Sequence, residues 1–271
     1  MDGMRPFVEG LFIAAARVCG FVACFLPLAL LAAIVAALLS AGWSVAPGAS
    51  VAGLLAPLVV TLGLAVVGGL VGATAGAGTA LFAHELVTGV PAKAARIAPR
   101  FAAAVPAVVV GWLAAAIVLP VVAARSFVAV MVVAGTVVAL CVAARSYSLT
   151  VRALKALPAS LREAALALGA DATRLTSQVI VPATRRRLFG IYIDAVSRGL
   201  GEATALSIVF ASAVRMGYDL KAFSIPAQML THARIGQTFD SGLALSALFV
   251  FALCACTRVW AGRLIGRFEW A

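Results

Sequence analysis

Six separate apolar runs, each long enough to cross a hydrocarbon core as a helix, constrain this chain more than any other feature. They are Val18–Ala41, Ala56–Ala83, Phe101–Ala124, Phe127–Ala144, Leu188–Ala213 and Leu243–Ile265. A helix of roughly 20 apolar residues spans the bilayer interior, and in lipid the backbone must satisfy its own hydrogen bonds, which selects helices for such runs. With 271 residues, 64% hydrophobic and only 11% charged, and a mean hydropathy of +1.11, the chain has too little polar surface to cover a soluble globule. The sequence therefore predicts an all-α, multi-pass integral membrane protein with six transmembrane helices. The second run carries Gly63, Gly68, Gly69, Gly72, Gly76 and Gly78. Small residues let helices approach closely in lipid, so this run is expected to be buried in the bundle.

A net charge of +11 suits either nucleic acid or membrane topology. Basic and aromatic residues are not interleaved as in a nucleic-acid module, so topology explains the charge better. Arg5 and Arg17 precede the first run; Lys93, Arg96 and Arg100 follow the second; Arg145, Arg152, Lys155, Arg162, Arg174, Arg185, Arg186 and Arg187 follow the fourth; Arg258, Arg263 and Arg267 lie near the C-terminus. Six crossings put all of these on one side, leaving Arg125, Arg215, Lys221 and Arg234 on the other. The positive-inside rule then predicts both termini to be cytoplasmic. The first run exceeds an ordinary signal-peptide core and leads to Gly42-Trp43 instead of an A-x-A site, so it is read as a mature span. Cys19, Cys24, Cys141, Cys254 and Cys256 have no metal-site spacing and read as packing residues.

The polar segment 158–183 interrupts the apolar pattern on the basic side. Ser160 and Glu163 have capping-box spacing, Gly169 suits a left-handed helix end, Asp171 can cap a second helix, and Pro182 marks where helical pairing changes before the chain re-enters the bilayer. This helix-turn-helix reads as a docking elbow. The alternative is an amphipathic helix on anionic lipid, which the basic Arg185–Arg187 flank would suit.

The fifth run carries Asp194, Arg198 and Glu202 at successive spacings of four, with Gly199 and Gly201 beside them. Such residues share a helix face, and each central charge costs about 2.5 to 3.5 kcal/mol in lipid unless it meets a partner or a watery path. The stripe is thus a transport pathway or, alternatively, a salt-bridge cluster that fixes packing. His84 and Glu85 read as a proton relay or as a solvated helix end. The segment around Ile225–Leu230 and His232 is left as a connection between the last two runs.

Taken together, Glu163-Ala164-Ala165, Gly169 and Val179-x-Val181-Pro182 resemble the cytoplasmic "EAA" loop of ABC importer permeases, the coupling helix that sits on the ATPase subunit. Arg198-Gly-Leu-Gly-Glu202 resembles the R-A-L-G-E string of oxyanion permeases, most closely the phosphate-specific subunits. The stretch around Glu85, Val105–Trp112 and Ile225–Leu230 resembles further strings of that family, so the likeness covers most of the chain from about Ala56 onward.

The resemblance implies a type I importer architecture, with residues 1–55 an N-terminal segment holding the first transmembrane helix and 56–271 a five-helix permease core that includes the elbow 158–183. It implies a bacterial plasma-membrane subunit forming half of a pathway, with Arg198, Glu202 and Asp194 on the substrate route and Glu163, Ala164, Ala165, Gly169 and Pro182 coupling to the ATPase. The implied partners are an ATPase dimer, a second homologous permease, an extracytoplasmic phosphate-binding protein and membrane lipid, with no nucleic acid. By the same likeness Ile225–Leu230 would form a short interfacial helix near the binding protein. No cofactor is expected in this chain: it has no G-x-x-x-x-G-K-[ST] string, so ATP and magnesium belong to the partner. The family usually continues G-E-T where this chain has Glu202-Ala203-Thr204, and Asp194 stands where an apolar residue is usual. That extra acid could pair with Arg198. Molybdate, tungstate and sulfate permeases carry similar strings and remain alternatives to phosphate. A proton-coupled secondary transporter would need inverted repeats, and none is visible; no G-x-S-x-G or H-E-x-x-H string supports an intramembrane enzyme.

Overall fold

The computed structural model describes residues 51–122, 126–219, 223–229 and 241–266, with Ala36. Apart from Ala36, the expected first span lies outside these residues, as do Cys19, Cys24 and His232. All regular elements among the described residues are helical. Helix α1 (Val51–Leu81) ends in a π-helical turn, Phe82–Leu86, and α2 (Gly89–Ala104) follows. Helix α3 (Ala107–Leu113) continues through a π turn, Ala114–Val118, into Leu119–Val122. Then come α4 (Phe127–Lys155), α5 (Ala159–Ala167) and α6 (Ala172–Arg174), the last running through a π turn, Leu175–Ile180, into α7 (Val181–Gly201). Helices α8 (Ala203–Arg215) and α9 (Ser241–Gly266) complete the set.

Two of the three π turns stand immediately before a proline. Proline lacks an N–H and clashes with the carbonyl four residues back, so a helix that keeps running must relax its pitch there. Pro120 follows the turn Ala114–Val118 and Pro182 follows Leu175–Ile180, which is how both helices pass a proline unbroken. The change of pairing expected at Pro182 is this π turn.

Glycine sets the core. Helix α1 packs along both α4 and α7. A Cβ on Gly72 would stand 2.5 Å from the Ala139 carbonyl oxygen, and one on Gly76 would collide with that of Ala143, so α1 and α4 meet backbone to backbone. On another face, Gly69 lies against α7, where a Cβ would reach Val196 Cα at 2.9 Å. Burial of the second run is corrected in one respect: Val59, Val67 and Val71 stay exposed on a third face. The glycines cover two faces, and the β-branched side chains point away from them.

Two expected spans are not continuous. The third, Phe101–Ala124, contains a 95° bend between α2 and α3. Val105 is extended (φ −76°, ψ 122°), as a residue before proline prefers, and Pro106 starts α3. Phe101 thus belongs to α2, an amphipathic helix with Val90, Ile97 and Phe101 exposed along one side and Lys93, Arg96 and Arg100 on the adjacent one. That pattern suits a membrane surface better than a crossing. The fifth, Leu188–Ala213, is broken at Glu202 (φ −76°, ψ 65°) between α7 and α8. Among the described residues three helices, Ala56–Leu86, Phe127–Lys155 and Leu243–Gly266, are long and apolar enough to cross a membrane, and the bent α2–α3 pair makes up to four.

At the end of the bundle remote from the elbow, residues 223–229 do not form a plain loop. Residues 225–229 make a helical turn with Phe223, Ile225 and Ala227 buried. The Ile225 N–H donates to Thr61 Oγ1 at 2.9 Å, and the Phe223 ring stacks on Phe210 at 4.4 Å.

Candidate functional site

The elbow forms, although its first cap differs from expectation. Pro158 (φ −60°, ψ 139°) is the N-cap of α5 and Ser160 lies inside the helix, so no Ser160–Glu163 capping box exists. Proline's fixed φ suits a helix start, and that moves the boundary upstream of the serine. The other end agrees with the sequence: Gly169 has φ +81°, its N–H donates to the Leu166 carbonyl at 2.9 Å, and the Ala170 N–H donates to the Ala165 carbonyl at 3.1 Å. These paired bonds are a Schellman stop, in which glycine avoids the cost of a left-handed residue. Asp171 Oδ1 then accepts from the Arg174 N–H at 2.7 Å and starts α6.

The expected coupling residues divide between two surfaces. Ala165 is buried in a cluster with Leu154, Leu175 and Ile180, which holds α5 on the bundle. Glu163, Ala164 and Gly169 face outward, beside Leu166 and a Leu168 that is 89% exposed, and Pro182 is exposed further along. An acidic residue among bare aliphatic ones on a rigidly capped helix is a surface shaped for another protein. The basic triplet divides as well: Arg185 and Arg186 are exposed, whereas Arg187 Nη1 donates to the Ala153 carbonyl at 3.4 Å.

Glu85 is not a solvated helix end. Its side chain is only 4% exposed and accepts from Arg162 Nη1 of α5 in an ion pair, while Arg162 Nη2 donates to the Leu154 carbonyl at 3.2 Å. The neighbouring His84 Nε2 lies 3.3 Å from the Tyr147 hydroxyl.

The charged stripe is rearranged by tertiary packing. Asp194 turns to α4, where Arg145 Nε donates to its Oδ2 at 2.8 Å, and no ion pair joins it to Arg198 among the described residues. The three-residue cluster allowed by the spacing is therefore replaced by two separate pairs. In the second, Arg198 Nε stands 3.4 Å from Glu202 Oε1, and that Nε is buried with no hydrogen bond. Glu202 occupies the break between α7 and α8, so its carboxylate sits where one half-helix ends and another begins. Ser197 Oγ donates to the Cys254 carbonyl at 3.1 Å, and Cys254 Sγ donates to the Ser197 carbonyl at 3.3 Å, which fixes α7 to α9 beside Arg198.

Arg198 also lines a cavity of about 880 Å³ between α3 and α4. Its walls are mostly aliphatic, but Thr136, Ser148, Arg145 and Arg152 of α4 face it, and no carboxylate is among its described lining residues. Arg145 and Arg152 escaped the sequence reading because they were counted as charges outside the span. The signal was present: Cys141, Arg145, Ser148 and Arg152 recur at helical spacing, and α4 continues through them to Lys155.

No protein-family model matches the chain, and no curated protein matches it. Among solved structures, a chain of the MetNI methionine ABC transporter in an inward-facing conformation is similar, with a TM-score of 0.55 and 16% identity over 79% of this chain and 95% of that one. A chain of an amino acid ABC transporter crystallised with histidines is similar at a TM-score of 0.51 and 17% identity, over 80% of this chain and 92% of that one. The chain shares the fold of these ABC transporter membrane chains.

Proposed function

We propose that this chain is the permease subunit of an ATP-driven importer and that its substrate is an oxyanion, phosphate first. The observation that carries the substrate class is Arg198, a buried guanidinium nitrogen without a hydrogen bond, at a helix break and on the wall of a cavity that presents three arginines and no carboxylate. The importer class is supported by the shared fold and by the Schellman-stopped elbow with its exposed Glu163, Leu166 and Leu168.

In this reading the elbow docks on a separate ATPase dimer at the cytoplasmic face, a second permease completes the pathway, and an extracytoplasmic binding protein delivers the anion. Crossing a low-dielectric layer requires a cation that offsets the anion's lost hydration without holding it permanently. Arginine stays protonated and presents a planar fork that fits an oxyanion. Glu202 neutralises Arg198 between transport events, and the loose 3.4 Å contact allows an arriving anion to take its place. Arg145 and Arg152 would then pass the ion along the face of α4.

The test is uptake of radiolabelled phosphate in a strain lacking its own phosphate importer, expressing this chain with the ATPase, second permease and binding protein encoded beside it. ATP-dependent uptake that excess phosphate suppresses and molybdate or sulfate does not is the expected result. Suppression by molybdate or sulfate instead reassigns the anion, and proton-driven uptake by the chain alone would overturn the importer reading.

A further inference from the structure

The π turn at the end of α1 is a junction of four helices. Its geometry leaves carbonyls without helical partners, since the Val87 N–H closes a wide turn onto the Phe82 carbonyl at 3.1 Å. The next three residues are each held by a different helix. The Ala83 carbonyl accepts from Arg96 Nε of α2 at 2.9 Å, His84 meets the Tyr147 hydroxyl of α4, and Glu85 is paired with Arg162 of α5. Leu81, one turn back, packs on the same Leu154, Ala165, Leu175 and Ile180 cluster that seats α5.

From this junction α1 runs as one helix to the charged site. At 1.5 Å per residue, Glu85 and Ala65 are roughly 30 Å apart. There a Cβ on Gly199 would stand 2.9 Å from Ala65 Cα and 3.0 Å from its carbonyl oxygen, so the α1 backbone rests directly on the residue next to Arg198. Close-packed contacts of this kind transmit displacement because they have no slack. Building on the importer reading, we infer that Glu85 and Arg162 are a positioning pair that fastens the elbow helix to α1, so that movement of α5 reaches the backbone beside Arg198. Burial makes the pair suited to this task, since it cannot exchange for water as a surface pair does.

The experiment uses the full chain assembled with its ATPase, second permease and binding protein in liposomes, and reads ATP hydrolysed per inorganic phosphate imported. Glu85→Gln with Arg162→Gln removes both charges together and leaves no buried ion unpaired. The ratio is expected to rise at least tenfold while ATP hydrolysis persists. Glu85→Asp, which keeps the charge and shortens the reach, serves if the double variant fails to assemble, and its ratio is expected to rise about threefold. A wild-type ratio in either assembled variant overturns the positioning role, even if total uptake falls. If the wild-type complex shows no ATP-dependent uptake, the proposed function fails instead.

Discussion

Two glutamate–arginine pairs in this chain are chemically alike and structurally opposite. Glu85–Arg162 joins two helices, and Arg162 is bonded at both ends of its fork. Arg198–Glu202 lies along a single chain break, at 3.4 Å, with a buried guanidinium nitrogen that bonds to nothing. A saturated pair holds elements together, whereas an unsaturated one retains bonding capacity for something else. Buried donors without partners cost free energy, so an arrangement that leaves one at a helix break beside a cavity points to a ligand.

The largest expected effect tests that contrast directly. Arg198→Ala should lower phosphate uptake about 100-fold, the factor that corresponds to losing about 3 kcal/mol of charge-assisted bonding, while co-purification with the ATPase is unchanged. Normal uptake would remove the distinction between the pairs. Next, Glu202→Gln should lower both the KM for phosphate and the turnover, the latter about tenfold, because Arg198 would no longer have a competitor that helps release the anion. Should uptake keep its wild-type kinetics, Glu202 would belong with Glu85 as a structural partner.

Smaller effects sharpen the framework around both pairs. Gly72→Val places side-chain atoms where the Ala139 carbonyl lies 2.5 Å from an ideal Cβ and should destabilise the chain by about 1 to 3 kcal/mol, read as a lower unfolding midpoint in detergent. Asp171→Ala should cost about 1 kcal/mol through loss of the cap on the Arg174 N–H. Ser160→Ala, inside α5 instead of at its cap, should change stability by less than about 0.5 kcal/mol. A larger loss at Ser160 than at Asp171 would restore the capping box inferred from spacing.

Local chemistry was legible wherever a residue's role depends on its own neighbours. Gly169, Asp171 and Pro182 act within a few residues of chain, and all three behave as their spacing indicates. The start of α5 was misplaced because Pro158 and Ser160 are competing local signals, and spacing alone does not rank them. The charged stripe was found but not its partners: helical periodicity puts Asp194 and Arg198 on one face, yet Arg145 arrives from α4 and takes Asp194. Glu85 was misread for the same reason, since its partner is far along the chain, on α5.

Composition and hydropathy by themselves determined a helical membrane chain, a basic polar elbow and a costly row of charges, because each follows from the solvent a local stretch can tolerate. Only the tertiary structure decided which charges are satisfied and which remain open, where the third and fifth runs break, and that α1 links the elbow to Arg198. Those outcomes depend on which helices pack together, and glycine contacts between distant segments set that packing.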